Sequence, residues 1–141
     1  MKRFIFIVLI LGVLGILFLG WCMFGDHSKF LAGLDQYEAL PLKASDITVY
    51  QNSNITGNFV ADFKISEPEF VSFAAESQWT LEPIACPEFV RQARSVYEGR
   101  PNDQKKVTDG LQYSQRRGNG GGVTIVYDRK DGRGYIDISA R

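Results

Sequence analysis

The chain has 141 residues, with 16 Lys+Arg against 16 Asp+Glu, one histidine and two cysteines. A formal net charge of +0 argues against a nucleic-acid binder, which would need a concentrated basic footprint. Two cysteines, one of them inside an apolar run, build no disulfide framework, so the fold must rest on a hydrophobic core.

Met1-Lys2-Arg3 is followed by Phe4 to Phe24, an apolar run with no charged side chain. As a helix it would be roughly 30 Å long, close to the hydrocarbon thickness of a bilayer. The run is longer than the core of a cleavable signal, and Trp21-Cys22-Met23-Phe24-Gly25-Asp26 contains no small-x-small cleavage pair. Trp21 directly before Cys22 also disfavours a lipoprotein signal, which needs a small residue there. The reading is a signal-anchor helix over 1–24 whose partner is the lipid bilayer through residues 4–24. Lys2 and Arg3 precede the run and mixed charge follows it, so the N-terminus is expected in the cytoplasm and the rest outside. The short basic start and compact length are in the style of a bacterial envelope protein.

Setting residues 1–24 aside leaves 14 Lys+Arg against 16 Asp+Glu in 25–141, enough chain for one small domain. Residues 25–45 read as a juxtamembrane connector. There Phe30, Leu31, Leu34, Tyr37 and Leu40 recur at helical spacing, which predicts a short amphipathic turn or helix before Pro41.

From Asp46 the period becomes two. Ile47 and Val49 alternate with Thr48 and Tyr50, and Phe59, Ala61, Phe63 and Ile65 alternate with Val60, Asp62 and Lys64. The polar stretch between them, ending at Gly57, makes a β-hairpin of the two runs. Within it, Asn54-Ile55-Thr56 is a glycosylation sequon, meaningful only in a eukaryotic secretory pathway.

Ser66-Glu67-Pro68-Glu69 has the pattern of a capping box, with Ile65 and Phe70 placed as a hydrophobic staple. The helix it starts is predicted to run to Ser77, with Phe70, Phe73 and Ala74 facing the sheet. At about three turns it is too short to stand alone. Trp79-Thr80-Leu81 reads as a short strand. Cys86 beside Pro87 reads as a small buried apolar residue, and Phe89, Val90, Ala93, Val96 and Tyr97 predict a second helix over 87–97. A polar loop over 99–106 follows. The last third reads as a meander over 111–116, 123–128 and 135–139, with turns at 117–122 and at Arg129-Lys130-Asp131-Gly132.

The expected fold class is therefore α+β. An N-terminal transmembrane helix precedes a domain over 46–141 with an antiparallel sheet of about five strands in the order ββ–α–βββ, packed by one or two short helices.

Chemistry is mostly excluded. The single histidine, His27, lies outside the expected domain, so imidazole-dependent nucleophiles and histidine zinc sites have no foundation. Paired carboxylates for glycoside cleavage survive, with Glu67, Glu69 and Glu76 on or near one helix, although capping and solvation account for these. Asp128, Asp131 and Asp137 match no calcium loop, and Asp131-Gly132 is explained as turn chemistry. The glycine run 118–122 precedes a strand and not a helix, so it reads as a hairpin connection open to binding and not as a phosphate loop. No catalytic residue, cofactor or metal is expected.

The candidate partner surface is aromatic: Tyr50, Trp79, Tyr113, Tyr127 and Tyr135, if they share an open sheet face, would take a protein or glycan outside the cytoplasm. The alternative is that the 87–97 segment covers them. The expected function is a non-catalytic, membrane-tethered binding or interaction module. The rivals are a small extracytoplasmic hydrolase using paired carboxylates and an accessory subunit of an envelope complex.

Overall fold

The structure, a computed structural model, describes residues 12–17, 20, 27–53 and 57–140. Most of the 4–24 run and the Asn54 sequon lie outside the described residues. Residues 12–17 are helical, and no helix among the described residues is long and apolar enough to cross a membrane.

The strands are β1 (Ser28–Leu34), β2 (Ser45–Asn52), β3 (Asn58–Lys64), β4 (Glu82–Pro83), β5 (Glu88–Arg91), β6 (Gln104–Val107), β7 (Gly110–Arg116), β8 (Gly122–Asp128) and β9 (Arg133–Ser139). Helix α1 is Glu67–Glu76 and α2 is Ala93–Tyr97. Seven strands form one antiparallel sheet in the order β1-β2-β3-β9-β8-β7-β4, and β5 and β6 form a separate two-stranded ribbon. The domain is α+β, with the hairpin, the helix and the meander where the periodicity places them. The pairing of β3 with β9 joins the N-terminal hairpin to the C-terminal meander.

Because side chains alternate along a strand, register sorts them onto two faces. On one face lie Val49, Ala61, Phe63, Ile125, Tyr127 and Ile136, covered by Phe70 and Ala74 of α1 and by Leu40 and Ala44 of the chain leading into β2. On the other lie Val60, Asp62, Val126 and Tyr135, covered by α2 and by the ribbon, whose Val90 and Val107 pack on Val126 and Tyr135. Strands β3, β8 and β9 are thus packed on both faces.

The start of α1 follows its sequence signal with one change. The Ser66 hydroxyl makes no cap bond to the helix amides. Instead the Glu69 carboxylate accepts from the Ser66 hydroxyl and backbone N–H, and also pairs with Lys43 at 2.7 Å. The staple forms, with Ile65 and Phe70 both in the core. Phe70 is fully buried, its ring 5.2 Å from that of Tyr127 and 6.4 Å from that of Phe63. Gly134 lies directly beneath these rings: a Cβ there would come within 2.8 Å of Phe70 Cε2 and 2.9 Å of Phe63. It sits in regular pairing inside β9, so it neither begins the strand nor makes a bulge.

Four expectations are corrected. First, the sheet has seven strands and not five. Part of the excess comes from the supposed connector, where the helical spacing over 30–40 is in fact β1 with a bulge. The register shift between Ala32 and Leu34, with Gly33 at φ +70, puts Leu31 opposite Val49 and Leu34 opposite Ile47. Two same-face residues are then three apart, which imitates a helix. Second, Trp79-Thr80-Leu81 is irregular and the strand is the two residues after it. Third, the 87–97 helix is strand β5 followed by the single turn of α2, and the polar loop over 99–106 contains most of β6. Phe89 points to solvent while Val90 is buried, the alternation of a strand. Fourth, Cys86 is exposed in the turn before β5 and not buried.

Replacing Phe70 by Ala is expected to cost about 3–5 kcal/mol, a large part of the roughly 5–15 kcal/mol a small domain possesses. Gly134→Ala, which overpacks the same rings, should cost about 1–3 kcal/mol. The exposed Val71→Ala on α1 should stay within about 0.5 kcal/mol. Urea unfolding of the full chain in mild detergent, followed by tryptophan fluorescence, checks all three. A Gly134→Ala change as mild as Val71→Ala would contradict the packing described.

Candidate functional site

The ribbon does not lie flat across the sheet, and a cleft of ≈ 330 Å³ opens between them. Its floor is the polar half of the ribbon-side face. Ser114 and Arg116 of β7, Thr124 of β8, and Asp137 and Ser139 of β9 occupy alternate positions of adjacent strands, beside Asn58 of β3. Glu88, Phe89 and Arg91 of β5 with Gln104 of β6 form the wall. Gly120, Gly121 and Gly122 close one end. The same face is apolar further along, at Val126 and Tyr135, where the ribbon's valines seal it.

Two ion pairs clamp the ribbon over the sheet. Arg91 Nε donates to Asp137 Oδ2 at 2.6 Å and its Nη2 donates to Oδ1, a bidentate fork three-quarters withdrawn from solvent. Lys105 Nζ donates to Asp131 Oδ2 at 2.5 Å and stands 3.9 Å from Asp128. The Asp137 hydrogen bond holds the Arg91 guanidinium above its usual range, and the Lys105 hydrogen bond holds the Asp131 carboxyl below its own.

Nearby, Arg133 donates to Asp62 at 2.8 Å and to Asp46 at 2.7 Å, and the Asp62 carboxylate also accepts from the Ala93 N–H at 3.2 Å. This network ties α2 to the centre of the sheet and satisfies the buried Asp62 charge.

The glycine loop is held by its own backbone. Arg117 N–H donates to the Gly121 carbonyl at 2.7 Å, and Gly121 N–H donates to Asn119 Oδ1 at 3.1 Å. Gly122 is required at the mouth of the cleft, because a Cβ there would stand 2.4 Å from the Gln115 carbonyl oxygen.

The five aromatic residues singled out from the sequence do not form one surface. Trp79, Tyr113 and Tyr127 are on the α1 side. The Trp79 ring lies 6.3 Å from Tyr113, nearly parallel, and meets Phe73 edge-on at 5.7 Å. Tyr127, 5 % exposed, is in the core and donates its hydroxyl to the Ile65 carbonyl at 3.2 Å. On the opposite face, Tyr50 is half-buried opposite Phe30 of β1, and Tyr135, 3 % exposed, lies under the ribbon. Of the five, only Tyr135 lines the cleft.

The glycine run, read from the sequence as a hairpin connection open to binding, contributes Gly120 to Gly122 to the cleft, and Asp137 figures in that reading only as a candidate calcium ligand; the remaining lining residues carried no individual motif. Their signal was collective: serine, threonine and aspartate on alternate positions of three meander strands mark a polar stripe, which only the register aligns.

Of the carboxylates considered for catalysis or calcium, all but Glu76 are engaged by cations. Glu67 receives both arms of Arg129, at 2.8 and 2.7 Å, and Glu69 receives Lys43. No group of three His, Cys, Asp or Glu among the described residues could hold a metal ion. In the cleft, Arg91 and Arg116 balance Glu88 and Asp137, and both Asp137 oxygens are taken by the Arg91 fork.

No family model matches the chain, and neither a curated protein nor a solved structure matches it.

Breaking the fork should be costly because it strands a partly buried charge. Asp137→Ala is expected to destabilise by about 1.5–3 kcal/mol, and the Arg91→Ala/Asp137→Ala pair by less than the two single changes added. A double-mutant cycle by urea unfolding measures this; strict additivity would mean the two side chains do not interact.

A pH effect follows from Tyr135, whose phenol burial pushes up to about 12. The unfolded chain loses this proton near pH 10 while the folded chain retains it, so stability present below pH 10 is lost as pH rises through about 12. Tyr135→Phe should flatten that alkaline fall in unfolding free energy, and an unchanged fall would contradict it.

Proposed function

We propose that this protein is a single-pass membrane-anchored binding module whose domain stands outside the cytoplasm and receives a ligand in the cleft between the ribbon and the sheet. The anchor rests on the uncharged run Phe4 to Phe24 and on Lys2 and Arg3 before it. The domain starts close to that run: β1 begins four residues after Phe24. At no more than about 3.5 Å per residue, Ser28 then stands within roughly 14 Å of the end of the apolar run.

The observation that carries the binding reading is the cleft itself. Its lining is mostly hydroxyl, amide and balanced charge, on a floor of hydrogen-bonded strands that holds the side chains in place. The lining supplies neither an imidazole nor a thiol, so a reaction that depends on either group has no foundation there. A paired-carboxylate hydrolase needs two free acids facing across the substrate. Here the fork already occupies Asp137, which weighs against that rival.

Cys86 offers a direct test of placement, because it is exposed on the domain while Cys22 lies in the apolar run. A membrane-impermeant maleimide should label the protein in intact spheroplasts, and Cys86→Ser should abolish the label. Labelling only after lysis would overturn the orientation. For the cleft, a photo-crosslinking residue at Phe89 should yield an adduct in cells that the same residue at Val71, on the far side of the domain, does not. Identical patterns from the two positions would overturn the cleft as the binding site.

A further inference from the structure

Resting on the reading of the cleft as a ligand site, we infer that its ligand is a neutral, polyhydroxylated chain: an uncharged glycan that stacks on Phe89 and hydrogen-bonds to the floor. Three observations converge on this chemistry.

The first is charge. Among the described residues, Glu88 and Arg116 of the lining form no ion pair, and the other two lining charges, Arg91 and Asp137, neutralise each other. An anionic ligand would meet Glu88 uncompensated and a cationic one would meet Arg116, so each charged class leaves one lining charge opposed.

The second is hydrogen-bonding type. The fork presents guanidinium donors and carboxylate acceptors side by side, and Asn58 and Gln104 repeat that pairing of donor and acceptor in single side chains. Ser114 and Thr124 hydroxyls lie 3.2 Å apart on adjacent strands and can each donate or accept. A ligand whose groups are all hydroxyls, each both donor and acceptor, can satisfy such a mixed floor from many positions. A peptide, with its donors and acceptors at set spacing, would look for a row of backbone partners.

The third is Phe89. A phenylalanine 59 % exposed at the rim of a polar cleft gains nothing from the core. The polarised C–H face of a sugar ring stacks on such a ring, while its hydroxyls project sideways toward polar groups. The cleft's ≈ 330 Å³ accommodates one or two sugar rings, with the chain continuing past the open side.

The test uses the full chain in nanodiscs, titrated with cellohexaose and chitohexaose as neutral glycans, with a hexauronate as the anionic counterpart and hexa-alanine as a neutral peptide, followed by calorimetry. At least one neutral hexasaccharide should bind saturably. Phe89→Ala should weaken it about tenfold, Phe89→Trp should retain it, and Val71→Ala should leave it unchanged. Phe89 is exposed, so its replacement leaves the core intact. Binding of the hexauronate or the peptide in preference would overturn the glycan inference while leaving the cleft as a ligand site. Saccharide binding indifferent to Phe89→Ala would overturn it as well. If no probe binds and the Phe89 crosslinker yields no specific adduct, the binding reading fails together with it.

Discussion

The ribbon remains on the sheet because Arg91 grips both carboxylate oxygens of Asp137, and the cleft exists because of where that grip falls. A two-stranded ribbon of short strands is marginal alone. Here Val90 and Val107 seal one part of it against Val126 and Tyr135, while the fork and the Lys105–Asp131 pair fix its approach. The apolar contact draws the ribbon down, and the fork lies beside that contact among polar residues that cannot close over it. A shallow polar space therefore remains between two rigid surfaces. Both the site and the stability of this side of the domain depend on the same pair of side chains.

The sheet can offer such a floor because its centre is packed from both sides. Phe70 and its neighbours fill one face, with Gly134 removing the one side chain that would lift α1 off the strands. On the other face Arg133, Asp62 and the Ala93 N–H place α2 over β2 and β3, which leaves the β7–β9 end to the ribbon. Strands covered on both faces resist local opening. Polar side chains projecting from them are held in position, which would lower the ordering cost of binding the proposed ligand.

The chemistry of the cleft follows from the side chains that line it. The lining has no imidazole or thiol, its Asp137 is held by Arg91, and its Glu88 forms no ion pair among the described residues. The lining is a surface of balanced charge, hydroxyls and amides. On the proposed reading, such a surface would recognise a ligand by shape and hydrogen bonding, and the proposed tether would raise its effective concentration toward ligands in the same space.

Local patterns in the chain were sufficient for whatever depends on neighbours a few residues apart. The uncharged leading run, the Ser66–Phe70 helix start, the β2–β3 hairpin and the Asp-Gly turn between β8 and β9 are all of this kind. The element misreadings come from spacing. The bulge in β1 stretched a two-residue spacing to three, and the short β5 and α2 ran together into an apolar rhythm that belongs to neither. The aromatic residues were visible but their faces were not, because a tyrosine's face depends on register and on what packs above it. The pairing of β3 with β9, the seat of the ribbon, and the meeting of Arg91 with Asp137 across 46 positions of chain came only from tertiary structure. Contacts between distant segments are chosen by how the buried faces fit together, and no stretch of sequence contains that information alone.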